Sequence, residues 1–251
     1  MPTFSSNGVT IDYLDEGEGP LVLLIHGFAS SKAVNWVDTG WVSTLVKSGR
    51  RVLAVDNRGH GKSEKLYDSA QYRTTLMAED ALRLLDHVKA DKAVVMGYSM
   101  GARISAFAAL EAPERLNGLI LSGLAKALVD GVGGGEAVAE ALEAPSASSV
   151  KDVNARAFRV FAEQTGGDRR ALAACIRASR QVLSEEDVGQ IAVPTLIVAG
   201  ENDTISGSAP ALAALIPGSR AVTLPGRDHM TAVGDKAHKS AVLAFLDEVA
   251  A

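Results

Sequence analysis

Short apolar runs rich in β-branched residues alternate along this chain with longer stretches whose apolar positions recur every three or four residues. The runs are "VTIDYL", "LVLLIHG", "RVLAVD", "AVVMGY", "LNGLILSG", "TLIVAG" and "RAVTLPG". Near-continuous apolar runs suit strands buried on both faces. Between them, Tyr72 to Lys89 carries Leu76, Ala81, Leu84, Leu85 and Val88 at helical spacing, and Ala102 to Leu110 and Asp235 to Val249 follow the same period. Strands alternating with helices predict a mainly parallel sheet with helices on its faces, an α/β fold. The alternation breaks between Leu124 and Val193, where "DGVGGGEAVAEALEAPSASS" and two Ala-rich, charge-dotted stretches contain no strand pattern. This predicts a helical cap at 125–193 inserted into a core made of 1–124 and 194–251, with Gly133 to Gly135 as a flexible joint.

Composition narrows the setting. A chain of 251 residues with 47% hydrophobic residues is long enough for one large core. The formal net charge of -5, a pI near 5.6 and the lack of a basic run argue against nucleic acid or an anionic membrane surface as partner. The N-terminal "MPTFSSNGVTIDYLDEG" has no positive region followed by an apolar stretch, and no apolar run approaches the roughly 18 residues that span a bilayer. A cytoplasmic protein is expected. A lone cysteine, Cys175, fits that compartment and forms no internal disulfide.

The chemistry begins at the joint Gly97-Tyr98-Ser99-Met100-Gly101, between a strand pattern and an alanine-rich helix. In a strand-to-helix turn this sharp the middle residue takes a strained conformation, and side chains two positions either way would collide with neighbouring chain. Glycine removes the collision and leaves the Ser99 hydroxyl above the carboxyl end of the sheet, placed as a nucleophile. A serine hydroxyl needs a histidine base and an acid to orient that base. Of the five histidines, His26 and His60 precede the serine, while His87 and His238 fall in helical patterns with surface positions expected. His229, in the loop after the last strand run, is the base by position. Asp203, just past "TLIVAG", is the chosen acid, with Glu201 as fallback and Asp228 as a rival that adjacency to His229 disfavours.

Attack on a carbonyl also needs donors for the oxyanion, and the backbone amides of Phe28 and Met100 are expected to supply them. Gly27 lets the first of these loops approach a ligand closely. Phe28, Met100, Leu124, Ile205 and Met230 are the side chains expected nearest the substrate. Arg156, Arg159 and Arg177 reach a substrate carboxylate only if the cap turns them inward; solvated helix faces are the ordinary reading. "DNRGHGKSE" ends like a phosphate-binding loop, but that motif needs glycine where Asp56 stands. Asp56 and Arg58 are expected to pair there and shape the floor of the site. No metal-ligand spacing is present, so neither a metal nor a cofactor is expected.

"HGF" at 26–28, "DNRGHGKS" at 56–63, "GYSMG" at 97–101, "GENDTI" at 200–205 and "GRDH" at 226–229 together resemble the α/β-hydrolase fold superfamily, in order and over nearly the whole chain outside the cap. The resemblance implies an eight-stranded, mostly parallel sheet, a Ser99-Asp203-His229 triad and a cap after the sixth strand. Within the superfamily the chain is similar to small bacterial esterases, enol-lactone hydrolases and cofactor-free haloperoxidase-like perhydrolases. Serine at 99, where the haloalkane dehalogenases and epoxide hydrolases of this fold use aspartate, argues against those two activities. The expected function is hydrolysis of a small-molecule ester or lactone through an acyl-enzyme on Ser99. A carbon-carbon bond hydrolase of dienoic keto acids, a perhydrolase and a slow-turnover ligand sensor remain as alternatives.

Overall fold

The computed structural model describes residues 2–249. Eight strands form one sheet: β1 (Thr3–Ser6), β2 (Val9–Glu16), β3 (Leu21–Ile25), β4 (Arg51–Val55), β5 (Ala93–Tyr98), β6 (Leu116–Ser122), β7 (Thr195–Gly200) and β8 (Arg220–Leu224). Their order across the sheet is β1-β2-β4-β3-β5-β6-β7-β8. β2 runs antiparallel to both β1 and β4, and every later pairing is parallel. The chain starts its parallel part at β3, steps outward to β4 and crosses back to β5. Such a switch point opens a crevice at the carboxyl ends of the flanking strands, here β3 and β5.

The apolar runs are continuous because the sheet is covered on both faces. Leu23 and Ile25 of β3, Leu53 and Val55 of β4, and Leu119 and Leu121 of β6 enter one apolar layer. Their neighbours Val22, Leu24, Val52, Ala54 and Ile120 enter the other. The first layer is closed by α2 (Thr74–His87) and α3 (Met100–Glu111) through Met77, Leu84 and Ile104. The second is closed by Trp41 and Leu45 of α1 (Trp41–Lys47) and by Val242, Phe245 and Leu246 of the C-terminal helix Lys236–Val249. β1 is absent from the sequence reading because "TFSS" buries only Phe4 and Ser6, too few positions for a period to register.

Between β6 and β7 the described chain is helical throughout apart from turns: α4 (Ala127–Asp130), α5 (Gly135–Glu143), α6 (Val153–Gln164), α7 (Arg169–Ala178) and α8 (Glu185–Gly189). After β7 come α9 (Ala209–Ala213), then β8, then α10 (Lys236–Val249). The glycine run opens a helix, where a flexible joint is expected from the sequence: Gly134 takes φ 77° at the N-terminal boundary of α5 and Gly135 is its first residue. That left-handed turn is where glycine is needed.

Four charged or titratable groups sit differently from expectation. Asp56 and Arg58 do not pair with each other. The Asp56 carboxylate accepts from Lys32 Nζ at 2.6 Å, and Arg58 forms a two-pronged bond with Asp80 at 2.7 Å on each arm. Arg159 is 2% exposed instead of lying on a solvated face, and its guanidinium donates to the carbonyls of Ala141, Leu142 and Ala144 at the end of α5. A cation satisfies the orphaned carbonyls of a helix terminus. His238 is buried, with Ser122 Oγ 2.9 Å from Nε2 and the Ala232 carbonyl 3.0 Å from Nδ1. Polar partners at both nitrogens make burial tolerable there.

Candidate functional site

Ser99 follows β5 and takes φ 54° and ψ -112°, outside the conformations an L-residue prefers. Holding it there costs roughly 1–3 kcal/mol, which the surrounding packing must offset. The glycines on either side explain how the turn closes. A Cβ on Gly97 would lie 2.1 Å from the Gly101 carbonyl oxygen, and one on Gly101 would lie 2.0 Å from the Ile25 carbonyl oxygen. The Ser99 amide donates to the Ser122 carbonyl at 2.8 Å, fixing the turn against β6.

Three side chains from three separate loops meet above this turn. His229 Nε2 lies 3.1 Å from Ser99 Oγ, and His229 Nδ1 lies 2.8 Å from Asp203 Oδ2. Asp203 Oδ1 already accepts the amides of Ile205 and Ser206, so the carboxylate is locked in orientation. With Nδ1–H donating to that carboxylate, Nε2 carries the lone pair and accepts from the serine hydroxyl. Burial alone would raise the Asp203 pKa. The hydrogen bond and charge of His229, with the two amides, outweigh it and hold the carboxyl below its ordinary value. Tyr98, inside the Gly-x-Ser-x-Gly stretch, donates from its hydroxyl to the His229 carbonyl at 2.5 Å and so anchors the histidine loop.

The rival acids are occupied elsewhere. Asp228 Oδ1 accepts from Met230 N, Thr231 N and Thr231 Oγ1, and Glu201 Oε2 accepts from Gly226 N. Among the described residues the amides of Phe28 and Met100 donate to no acceptor. The turn carrying Phe28 is pinned at several points: the Gly27 amide donates to Asn35 Oδ1 at 3.0 Å, and the Gly27 carbonyl accepts from His26 Nδ1 at 2.7 Å and from Ser30 N at 3.3 Å.

Ser99 and His229 open into a cavity of about 930 Å³. Phe28, Ile205 and Met230 line it, as do Phe158 and Phe161 of α6. The Met100 and Leu124 side chains do not line it; they belong to the apolar core, with Met100 Sδ 3.8 Å from Cys175 Sγ. The first residue of a helix aims its side chain back toward the preceding strand and neighbouring core, so only the Met100 backbone faces the site. Arg177 is paired with Glu136 and Glu143, while Arg156 lines the cavity together with Arg180, which the sequence reading missed. Asn35 and Tyr98 also line it and were likewise missed: Asn35 belongs to no spaced pattern, and Tyr98 fills a position of the Gly-x-Ser-x-Gly stretch where the pattern specifies no residue. Among the described residues no three metal-ligating side chains converge, and no helix is long and apolar enough to cross a membrane.

Residues 20–130 match the family described as alpha/beta hydrolase fold. The 2-(acetamidomethylene)succinate hydrolase of Mesorhizobium japonicum is 29% identical over 95% of this chain and 92% of its own. Several other curated relatives align over 41% of their own length or less. A meta-cleavage product hydrolase from Pseudomonas fluorescens superposes with a TM-score of 0.79 at 25% identity, over 99% of this chain and 98% of the other. An esterase from Exiguobacterium antarcticum superposes with a TM-score of 0.82 at 22% identity over the full length of both chains. The sheet order, the strained serine turn and these matches agree: the chain has the α/β-hydrolase fold.

Proposed function

We propose that this protein is a cytoplasmic serine hydrolase that cleaves small carboxylic esters or lactones through an acyl-enzyme on Ser99. The observation that carries the reading is the hydrogen-bonded line from Ser99 Oγ through His229 to Asp203, opening into an apolar-walled cavity. His229 Nε2 takes the serine proton as Oγ attacks the carbonyl carbon, and Asp203 holds the imidazole tautomer and stabilises its positive charge. The amides of Phe28 and Met100 receive the oxyanion of the tetrahedral intermediate. His229 then protonates the leaving alcohol, and a water deprotonated by the same nitrogen releases the acid. The helices between β6 and β7 act as a cap, with Phe158 and Phe161 covering the bound acyl chain. Pockets of this volume enclose ligands larger than an acetate ester, so a longer acyl or alcohol portion is accommodated.

A second reading, a substrate that also carries a carboxylate, is favoured by Arg156 and Arg180, which line the cavity and form no ion pair among the described residues. The relative named for acting on a succinate points the same way. Carbon-carbon cleavage of a dienoic keto acid would use the same three residues, whereas a ligand sensor would show binding with negligible turnover.

Hydrolysis of p-nitrophenyl esters from acetate to octanoate, by the wild type and Ser99→Ala, tests the reading. The expected result is wild-type turnover reduced in the variant by about 10³-fold or more. A wild type inert on the whole series, or a variant equally active, would sink it.

A further inference from the structure

Asn35 stands on a π-helical turn, Ala33–Val37, directly behind the loop that carries Gly27 and Phe28. Such wide turns occur mostly as single insertions and are frequent at functional sites. Here the main chain of Asn35 is fully engaged: its amide donates to the Ser31 carbonyl at 2.9 Å and its carbonyl accepts from Thr39 Oγ1 at 2.6 Å. The side chain is only 6% exposed. Its Oδ1 accepts from the Gly27 amide at 3.0 Å, and since that amide can only donate, the orientation of the carboxamide is fixed. Nδ2 is therefore the other end, and this buried nitrogen has no hydrogen-bond partner among the described residues.

Buried amide nitrogens are rarely left without an acceptor, and each one in a native fold calls for a reason. The reason is supplied by location. Asn35 lines the same cavity as Ser99 and His229. A methyl group placed on Gly27 would lie 3.4 Å from Ser99 Cβ and 3.6 Å from Asn35 Oδ1, so the carboxamide and the nucleophile flank the same glycine. The neighbouring charges are paired with one another, Lys32 with Asp12 and Asp56, and so offer Nδ2 no acceptor.

We propose that Asn35 is a catalytic residue whose Nδ2–H donates to the oxygen of the scissile carbonyl, adding a third, side-chain donor to the amides of Phe28 and Met100. Through Oδ1 it also holds the Gly27 amide and so positions the Phe28 turn. The inference rests on the serine-hydrolase reading. A donor aimed at developing negative charge strengthens as the carbonyl becomes an oxyanion, so its removal lowers kcat more than it raises KM.

The test compares the wild type with Asn35→Asp and Asn35→Ala on one p-nitrophenyl ester, together with inhibition by phenylboronic acid, which forms a tetrahedral adduct on a reactive serine. Asn35→Asp keeps an acceptor for the Gly27 amide and removes the donor. The expected results are a kcat lowered about 100-fold at pH 8 with KM within about threefold, and a variant-to-wild-type ratio that rises as pH falls and the new carboxyl gains a proton. A role confined to holding Gly27 would leave that ratio flat or falling. Should Asn35→Asp fail to fold, Asn35→Ala carries the same question: phenylboronic acid affinity weakened about tenfold while KM stays within about threefold supports the donor. A kcat within threefold of wild type, or equal changes in inhibitor affinity and KM, overturns it while the hydrolase reading stands. A wild type that neither hydrolyses the esters nor binds the boronic acid overturns both.

Discussion

Gly101 holds the site together by having no side chain. Its Cα lies so close to the end of β3 that an added methyl would overlap the Ile25 carbonyl oxygen at 2.0 Å and approach the His26 carbonyl oxygen at 2.8 Å. Neither neighbour is a flexible side chain that can swing away; both are backbone at the start of the Gly27 turn. Gly101→Ala is therefore expected to destabilise the fold by roughly 3 kcal/mol or more, read as a fall in the urea midpoint, with ester hydrolysis lost alongside. This was legible in the sequence, because glycine two places either side of a serine at a strand-to-helix joint has few other uses. Asp203 and His229 were legible too, through their places after successive strands. Asn35 and Arg180 were not: one is held by a single bond from Gly27, the other lies just past the end of α7, and neither position repeats at any spacing. His238 misled for the opposite reason. Helical period gave its element correctly but not its inward rotation toward Ser122, which only the tertiary contact fixes.

At the scale of elements, the helices between β6 and β7 are tied to the serine side of the molecule by a specific bond. Thr165, at the C-terminal boundary of α6, donates from Oγ1 to the Ala29 carbonyl at 2.7 Å. Ala29 has φ 57° and follows Phe28 directly, so the bond restrains the same turn that presents the Phe28 amide. Thr165→Val keeps the shape and removes the donor. The loss of one half-buried hydrogen bond is worth about 1 kcal/mol, which lowers the melting temperature by about 2–4 °C in a chain of this length. A kcat that falls with it in ester hydrolysis is the expected sign that α6 and the Phe28 turn work as one unit; an unchanged kcat would separate them. The aromatic contact between Phe28 and Phe158, with ring centres 6.0 Å apart, ties the same two elements through their side chains.

For the whole molecule, acid sensitivity is built into the buried histidines. Burial pushes His60 down to about 3 and His238 down to about 4, against an ordinary value of 6.5. The unfolded chain binds a proton at each near pH 6.5 while the native chain refuses it, so stability is fully present above that pH and is lost as pH falls toward 4. Each such group removes about 1.4 kcal/mol per pH unit within that window. The melting temperature is expected to be flat from pH 7 to 8 and to decline steadily from 6.5 to 4, with a shallower slope in His238→Gln; an identical slope in that variant would remove His238 from the account. Asp203, held below its ordinary value of 3.8, adds its loss only at lower pH. The same scale gives meaning to where the helical segment between β6 and β7 is joined. The segment leaves from the carboxyl end of β6 and returns at the amino end of β7, and because these neighbouring strands run parallel it must also carry the chain back along the length of the sheet. Trimming these helices to a tight turn is therefore ruled out: whatever stands in their place must be about a dozen residues or more to bring β7 in beside β6 in the same direction.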